Sequence, residues 1–245
     1  VLTIIPGVII AILIWTMLVN PETNVSAGAK DKPKEKVSYV DLLFKNRNVL
    51  LSIIGTLFLL CWYVCTLTYA PGYLTQVKGL TNPQMSYVMA AMGVGGIVWG
   101  IVIPRLSDKF GRKPLVLIAA VLGLVAPIGI LLGPPNLGVL MIIAFIGWGG
   151  VGVCALMQST IPAESGDPRY VSTIIGSNQL TGELIGATLG ATLLGMLADK
   201  MGLGATMVAT ACCMFICLIV SLFYKESAPL VVAKREAEKS GTAAK

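Results

Sequence analysis

Glu183 is the only Asp, Glu, Lys or Arg placed well inside a long apolar run of this chain, twelve residues after Val171 in the stretch 171–197. If that stretch is a helix, a rise of 1.5 Å per residue carries Glu183 about 18 Å along the axis. That depth is close to the middle of a hydrocarbon layer about 30 Å thick. A charge there is costly, so the carboxyl is expected to face a bundle interior or a wet cavity. Three roles suit it: binding and releasing a proton, touching a solute, or hydrogen bonding between helices. Gln179 lies one turn earlier on the same face, with Asn178 beside it. Aromatic residues supply the other candidates. Trp62, Thr66 and Tyr69 recur at i, i+4 and i+7 on one helical face, Tyr63 flanks them, and Trp148 stands in a separate apolar stretch. Rings with polar edges suit stacking on a solute ring or covering a sugar face. The competing explanation is an aromatic belt at a membrane interface. It accounts for Tyr69 more readily than for Trp62, which lies deeper in its run.

These residues must be held by elements that suit an apolar medium. Hydrophobic residues make up 56% of the 245-residue chain and charged residues 12%, about half the charged share of a soluble domain. Histidine is absent. That removes Ser-His-Asp and Cys-His catalysis, imidazole metal or haem ligation and a histidine proton relay. The six cysteines, Cys61, Cys65, Cys154, Cys212, Cys213 and Cys217, all lie in apolar stretches without C-x-x-C spacing. They are read as small packing residues, and neither metal nor cofactor is expected.

Seven apolar spans follow one another, at 1–19, 49–70, 84–103, 115–132, 138–157, 171–197 and 203–223. Seven in series predict an all-α bundle crossing a bilayer. The net charge of +6 carries no nucleic-acid reading, because its basic residues sit in links and tail. The links 20–48, 104–114 and 158–170 and the tail 224–245 hold 6, 4, 1 and 5 Lys or Arg, together 16 of 18; the opposite links hold only Lys78 and Lys200. The positive-inside rule places the first set in the cytoplasm, so the chain starts outside and ends inside. Residues 30–36 form a charged, solvated stretch, and 38–45 reads as a short surface helix started by a capping-box-like Ser38-Tyr-Val-Asp41.

The link 104–114 has the sequence PRLSDKFGRKP. Asp108 and Arg112 are four apart and meet in any helical turn. Gly111 suits the positive φ of a reversal, and Pro114 suits the first position of the next helix. With Leu106, Lys109, Lys113 and Leu115, this resembles the cytoplasmic signature loop of the major facilitator superfamily, with Pro104 standing where that family usually has Gly. A weaker echo, GMLADKMG, occupies 195–202.

The resemblance implies a family-type six-helix C-terminal bundle plus one preceding transmembrane helix. Residues 1–19 are then the last helix of the first half, 20–48 the loop between halves, 49–223 the bundle and 224–245 a basic cytoplasmic tail. The chain opens at Val1 within an apolar run, which reads as the interior of a longer protein. The family's first and fourth helices in each half line the cavity, which assigns Trp62, Tyr63, Thr66, Tyr69 and Trp148 to it. Asp108, Lys109, Gly111, Arg112 and Lys113 become a gate or latch. The expected activity is secondary transport of a small organic solute, an organic acid or sugar-like compound, by proton-coupled symport and alternating access. The implied partners are solute, H+, lipid and the first half of the protein, in a plasma membrane. A sodium-coupled or efflux carrier stays open, as does a seven-helix receptor. A membrane enzyme lacks its constellation, since only Glu183 lies at depth. Gly182, Gly186 and Gly190 at four-residue spacing, and Gly96 with Gly100, mark faces where helices approach closely. Pro127 predicts a kink in its span.

Overall fold

The computed structural model describes residues 8, 10, 12–14, 16, 42–43, 46–229 and 231–233. The chain divides into two units, 1–37 and 38–245. In the first, the described residues are helical and Thr16 bonds back to the carbonyl of Ile12. Most of the expected first span, the charged stretch and much of the 38–45 helix fall outside the described residues; positions 42 and 43 are helical.

The second unit contains six described helices long and apolar enough to cross a membrane: α1 Arg47–Val77, α2 Asn82–Phe110, α3 Arg112–Leu132, α4 Leu137–Ser165, α5 Pro168–Met201 and α6 Leu203–Leu222. Local chemistry starts several of them. Asn46 caps α1 through its side-chain oxygen, Thr81 and Gln84 form a capping box on α2, and Asn136 caps α4. At the far end of α3, Lys78 donates to the carbonyls of Leu131 (3.0 Å) and Gly133 (2.5 Å). A cation there satisfies free carbonyls and complements the helix dipole.

The helices overrun the expected spans at both kinds of link. Phe110 ends α2 and Arg112 begins α3, so the basic link reduces to Gly111 at φ 106°. Pro104 lies inside α2, and Pro114 occupies the third position of α3 rather than the first. Gly202, at φ 81°, alone separates α5 from α6. Only glycine enters such backbone without strain, which lets two long helices reverse within one residue. The expected loop 158–170 is likewise mostly helix, since α4 runs to Ser165.

Around the bundle, α1 packs on α5 and α6, α6 on α3, and α4 on both α2 and α3. Trp62, Met92, Ile130, Leu140, Met157, Met207 and Met214 fill the interior. The glycine stripe of α5 lies against α1: Gly182 opposes Thr56 and Leu60, Gly186 opposes the backbone of Leu57, and Gly190 opposes Cys61. Gly95 and Gly96 bring α2 against Phe145 and Trp148 of α4. Gly100 was expected to do the same but faces open space within 4 Å. The α2–α4 contact is centred one turn earlier, where Trp148 lies.

Candidate functional site

Three rings gather where α1 meets the middle of α4. Trp62 and Trp148 have centroids 5.5 Å apart, Tyr63 and Trp148 5.6 Å, and Trp62 and Tyr63 6.4 Å, all tilted. Such offset arrangements suit the ring quadrupoles. Trp148 opens a single 3-10 turn, Trp148–Gly150, within α4. Glycines make room for both indoles: a side chain at Gly150 would strike Trp62 and one at Gly96 would press on Trp148.

Burial sorts the sequence candidates. Trp62 and Thr66 are 0% exposed, Trp148 is 3% exposed, and Tyr63 is half-buried. The stripe of Trp62, Thr66 and Tyr69 therefore does not form an open wall; Trp62 packs on Trp148 and Gly150 of α4. Tyr69 instead donates to the carbonyl of Ala191 at 2.6 Å, tying α1 to α5. Of the three clustered rings only Tyr63, the flanking residue, is partly exposed, and Tyr69 is exposed to a similar degree. The hydroxyl oxygens of Thr56 and Thr66 and the indole nitrogen of Trp62 are buried without a hydrogen-bond partner.

Glu183 opens a π-helical segment of α5, Gly182–Leu189. It is exposed, between exposed Leu180 and Leu184, rather than turned into this bundle. The glycines of α5 face α1, so the carboxylate one position on from Gly182 points off that contact. Gln179 is exposed on the same helix. Asn178 is not: its amide donates to the carbonyls of Met157 (3.0 Å) and Gln158 (2.9 Å). Both belong to the π turn Leu156–Thr160 of α4, where widened geometry frees carbonyls that must be satisfied. This assigns Asn178 to holding α5 on α4 rather than to a solute face.

A second cluster occupies the end of the bundle bearing the basic motif. Arg112 is 8% exposed. It bonds Asp108 (2.5 Å) and Ser107 (2.6 Å) at the end of α2 and Glu164 (2.7 Å) near the end of α4. The pairing of Asp108 with Arg112 follows from their spacing; Glu164 does not. The Glu226 carboxylate accepts from the backbone N–H of Arg112 at 2.7 Å and of Lys113 at 3.3 Å. An anion there meets the positive end of the α3 dipole. Ser227 donates to Glu164, and Asn48 exchanges bonds with the backbone of Lys225. Tyr224 Oη lies 3.0 Å from Ser52 Oγ; burial pushes this phenol above its ordinary range despite that hydrogen bond. Residues 224–228 thus form a strap over the ends of α1, α3 and α4. Lys109 is exposed and Lys113 half-buried. A cavity of about 690 Å³ opens beside the strap, lined by residues that include Asn46, Arg47, Glu164 and Lys225. A carboxylate that ends an apolar span at an otherwise basic bundle end was a usable signal for Glu164; Glu226 offered none beyond proximity to α6.

The geometry meets its comparisons here. Residues 1–191 match the family model described as Major Facilitator Superfamily. The chain belongs to that superfamily. As a superfamily member it is an integral membrane protein, and the receptor and enzyme readings fall away. It is 32% identical over 143 residues to a proline/betaine transporter of Salmonella typhimurium strain LT2, covering 56% of this chain and 28% of that protein. A proline/betaine transporter of Escherichia coli K12 is 33% identical over 95 residues, covering 38% of this chain and 19% of the relative. The crystal structure of a D-xylose-proton symporter superposes with a TM-score of 0.58 at 19% identity, over 80% of this chain and 52% of that one. The match to the symporter is one of fold. The chain spans about half the length of the solved carrier and less than a third of the length of the curated relatives it matches.

Proposed function

We propose that this chain supplies the second lobe of a secondary transporter for a small organic solute, working by proton-coupled symport and alternating access. The observation that carries the reading is the exposed Glu183 on a π segment at mid-span. An intramembrane acid needs a wet or protein-covered neighbour, and the first lobe would provide it. Midplane sites between two rocking repeats are the general plan of such carriers. Tyr63 and Gln179 would touch the solute, Trp62 and Trp148 would stiffen Tyr63 from behind, and Glu183 would carry the proton. The Arg112 end would be cytoplasmic, in keeping with the positive-inside rule, with Asp108, Arg112 and their carboxylate partners as the latch.

Of the solute classes read from sequence, a sugar-like compound fits this face better than an organic acid. The middle portions of the described helices carry no Lys or Arg to neutralise an anion. The relatives named for proline/betaine extend the range to zwitterions, and the structural neighbour is named for a sugar, D-xylose. The test is uptake by vesicles holding the full-length protein, with proline, betaine, D-xylose and citrate offered under an imposed and then collapsed pH gradient. Glu183→Gln is expected to abolish accumulation against a gradient while leaving downhill exchange. A Glu183→Gln protein that still accumulates solute with unchanged pH dependence removes the proton role.

A further inference from the structure

A thiol of α1 and a thiol of α6 are in direct contact. Cys61 Sγ and Cys213 Sγ lie 3.5 Å apart, from residues 152 positions apart in sequence. Cys65 stands one turn along α1 from Cys61. All are free thiols; Cys61 and Cys65 are buried, Cys213 is partly accessible and its neighbour Cys212 is exposed. On the other side of Cys61 lies Gly190 of α5, so three helices converge on one sulfur. Cysteine pairs in contact across two helices join into a disulfide when the sulfurs close to about 2.05 Å. From 3.5 Å this asks for a movement of about 1.5 Å, within reach of rotation about the two side chains.

We propose that Cys61 and Cys213 form a reversible disulfide that staples α1 to α6 beside the aromatic cluster. The oxidant would be of the membrane-soluble quinone class, reaching the pair from the side where Cys213 is accessible. Two S–H bonds break and one S–S bond forms. The two electrons and two protons reduce the quinone to its hydroquinone. Return to two thiols takes a small dithiol reductant, which opens the bond by thiol–disulfide exchange and leaves as its own cyclic disulfide. The staple closes a loop of more than a hundred residues, which constrains the unfolded chain strongly, and it fixes the turn of α1 bearing Trp62 and Tyr63.

The experiment treats full-length protein in lipid vesicles with a fully substituted alkyl benzoquinone, blocks remaining thiols with an alkylating agent and maps linked peptides by mass spectrometry. A Cys61–Cys213 peptide is expected in the native protein, absent after dithiothreitol and absent in Cys213→Ser. The unfolding midpoint in SDS should rise on oxidation of the native protein and stay put in Cys213→Ser, while Cys212→Ser behaves as native. No linked peptide, a link through Cys212 instead, or a midpoint unmoved by oxidation would overturn the proposal. None of these readouts depends on which solute is carried.

Discussion

Adding one methyl group at Gly186 gives the sharpest test of how α5 is held. A Cβ there would enter the envelope of the Leu57 carbonyl oxygen and lie 3.0 Å from its carbon and 3.2 Å from Leu57 Cα. All three are backbone atoms, so no side chain can rotate away. An ordinary carbon–oxygen contact is about 3.3–3.6 Å, which forces the helices apart by roughly 1 Å. A gap of that size forfeits about a quarter to a half of each dispersion contact it opens, and Gly182 and Gly190 flank the same seam. Overpacking costs about 1–3 kcal/mol; alanine's helix preference over glycine returns about 0.5–1 kcal/mol. Gly186→Ala should therefore lose about 1–2 kcal/mol net. Gly100→Ala is the matched control: the same substitution in a helix, with nothing within 4 Å, should be neutral or gain up to about 1 kcal/mol. Unfolding by SDS titration in mixed micelles measures both. If the two variants unfold at the same SDS fraction, the close approach of α5 to α1 is not what stabilises this bundle.

Further substitutions test the polar contacts. Arg112→Ala should lower stability by about 2–3 kcal/mol, less than the 3–5 typical of breaking a fully buried pair because Asp108 is exposed; Arg112→Lys should recover only part, lacking the guanidinium fork. The same micelle titration reads both. Glu226→Ala should cost about 0.5–2 kcal/mol, as loss of a helix cap does, and hydrogen exchange at the Arg112 and Lys113 amides should quicken while that of mid-helix amides holds. Asn178→Leu strips donors from two carbonyls of α4 and should cost about 1–3 kcal/mol; an infrared shift of 13C-labelled Met157 carbonyl to higher frequency would show the bond has gone.

Helices were legible because period and charge are local properties. Six of the seven apolar spans reappear as long helices, and Gly111 adopts the positive φ its place in the motif implied. The span ends were less legible. Apolarity stops where lipid would stop, whereas hydrogen bonding carries α2 through Pro104 to Phe110 and α4 to Ser165. Facing was the harder matter. A heptad-like stripe on α1 says that Trp62, Thr66 and Tyr69 share a side, but not that α4 buries Trp62 while Tyr69 bonds to α5. The π segments at Leu156–Thr160 and Gly182–Leu189 shift the register of every residue beyond them. Residues 171–181 form a regular helix ahead of the second of these segments, so turn counting holds up to Glu183; what it does not give is which face of α5 meets α1. Glu164 and Glu226 join Arg112 only through tertiary contact, which no spacing rule encodes.

The carboxylate that caps α3 arrives late. Glu226 follows Arg112 by 114 residues, and a ribosome adding about 5–20 residues per second needs on the order of ten seconds to cover that distance. Once α3 is made its first amides wait bare for Glu226, and Glu164 waits 63 residues for Ser227. Final locking of the charged end must therefore wait until α6 has left the insertion machinery. A nascent chain stalled before Tyr224 would leave this end open to whatever surveys unfinished membrane proteins.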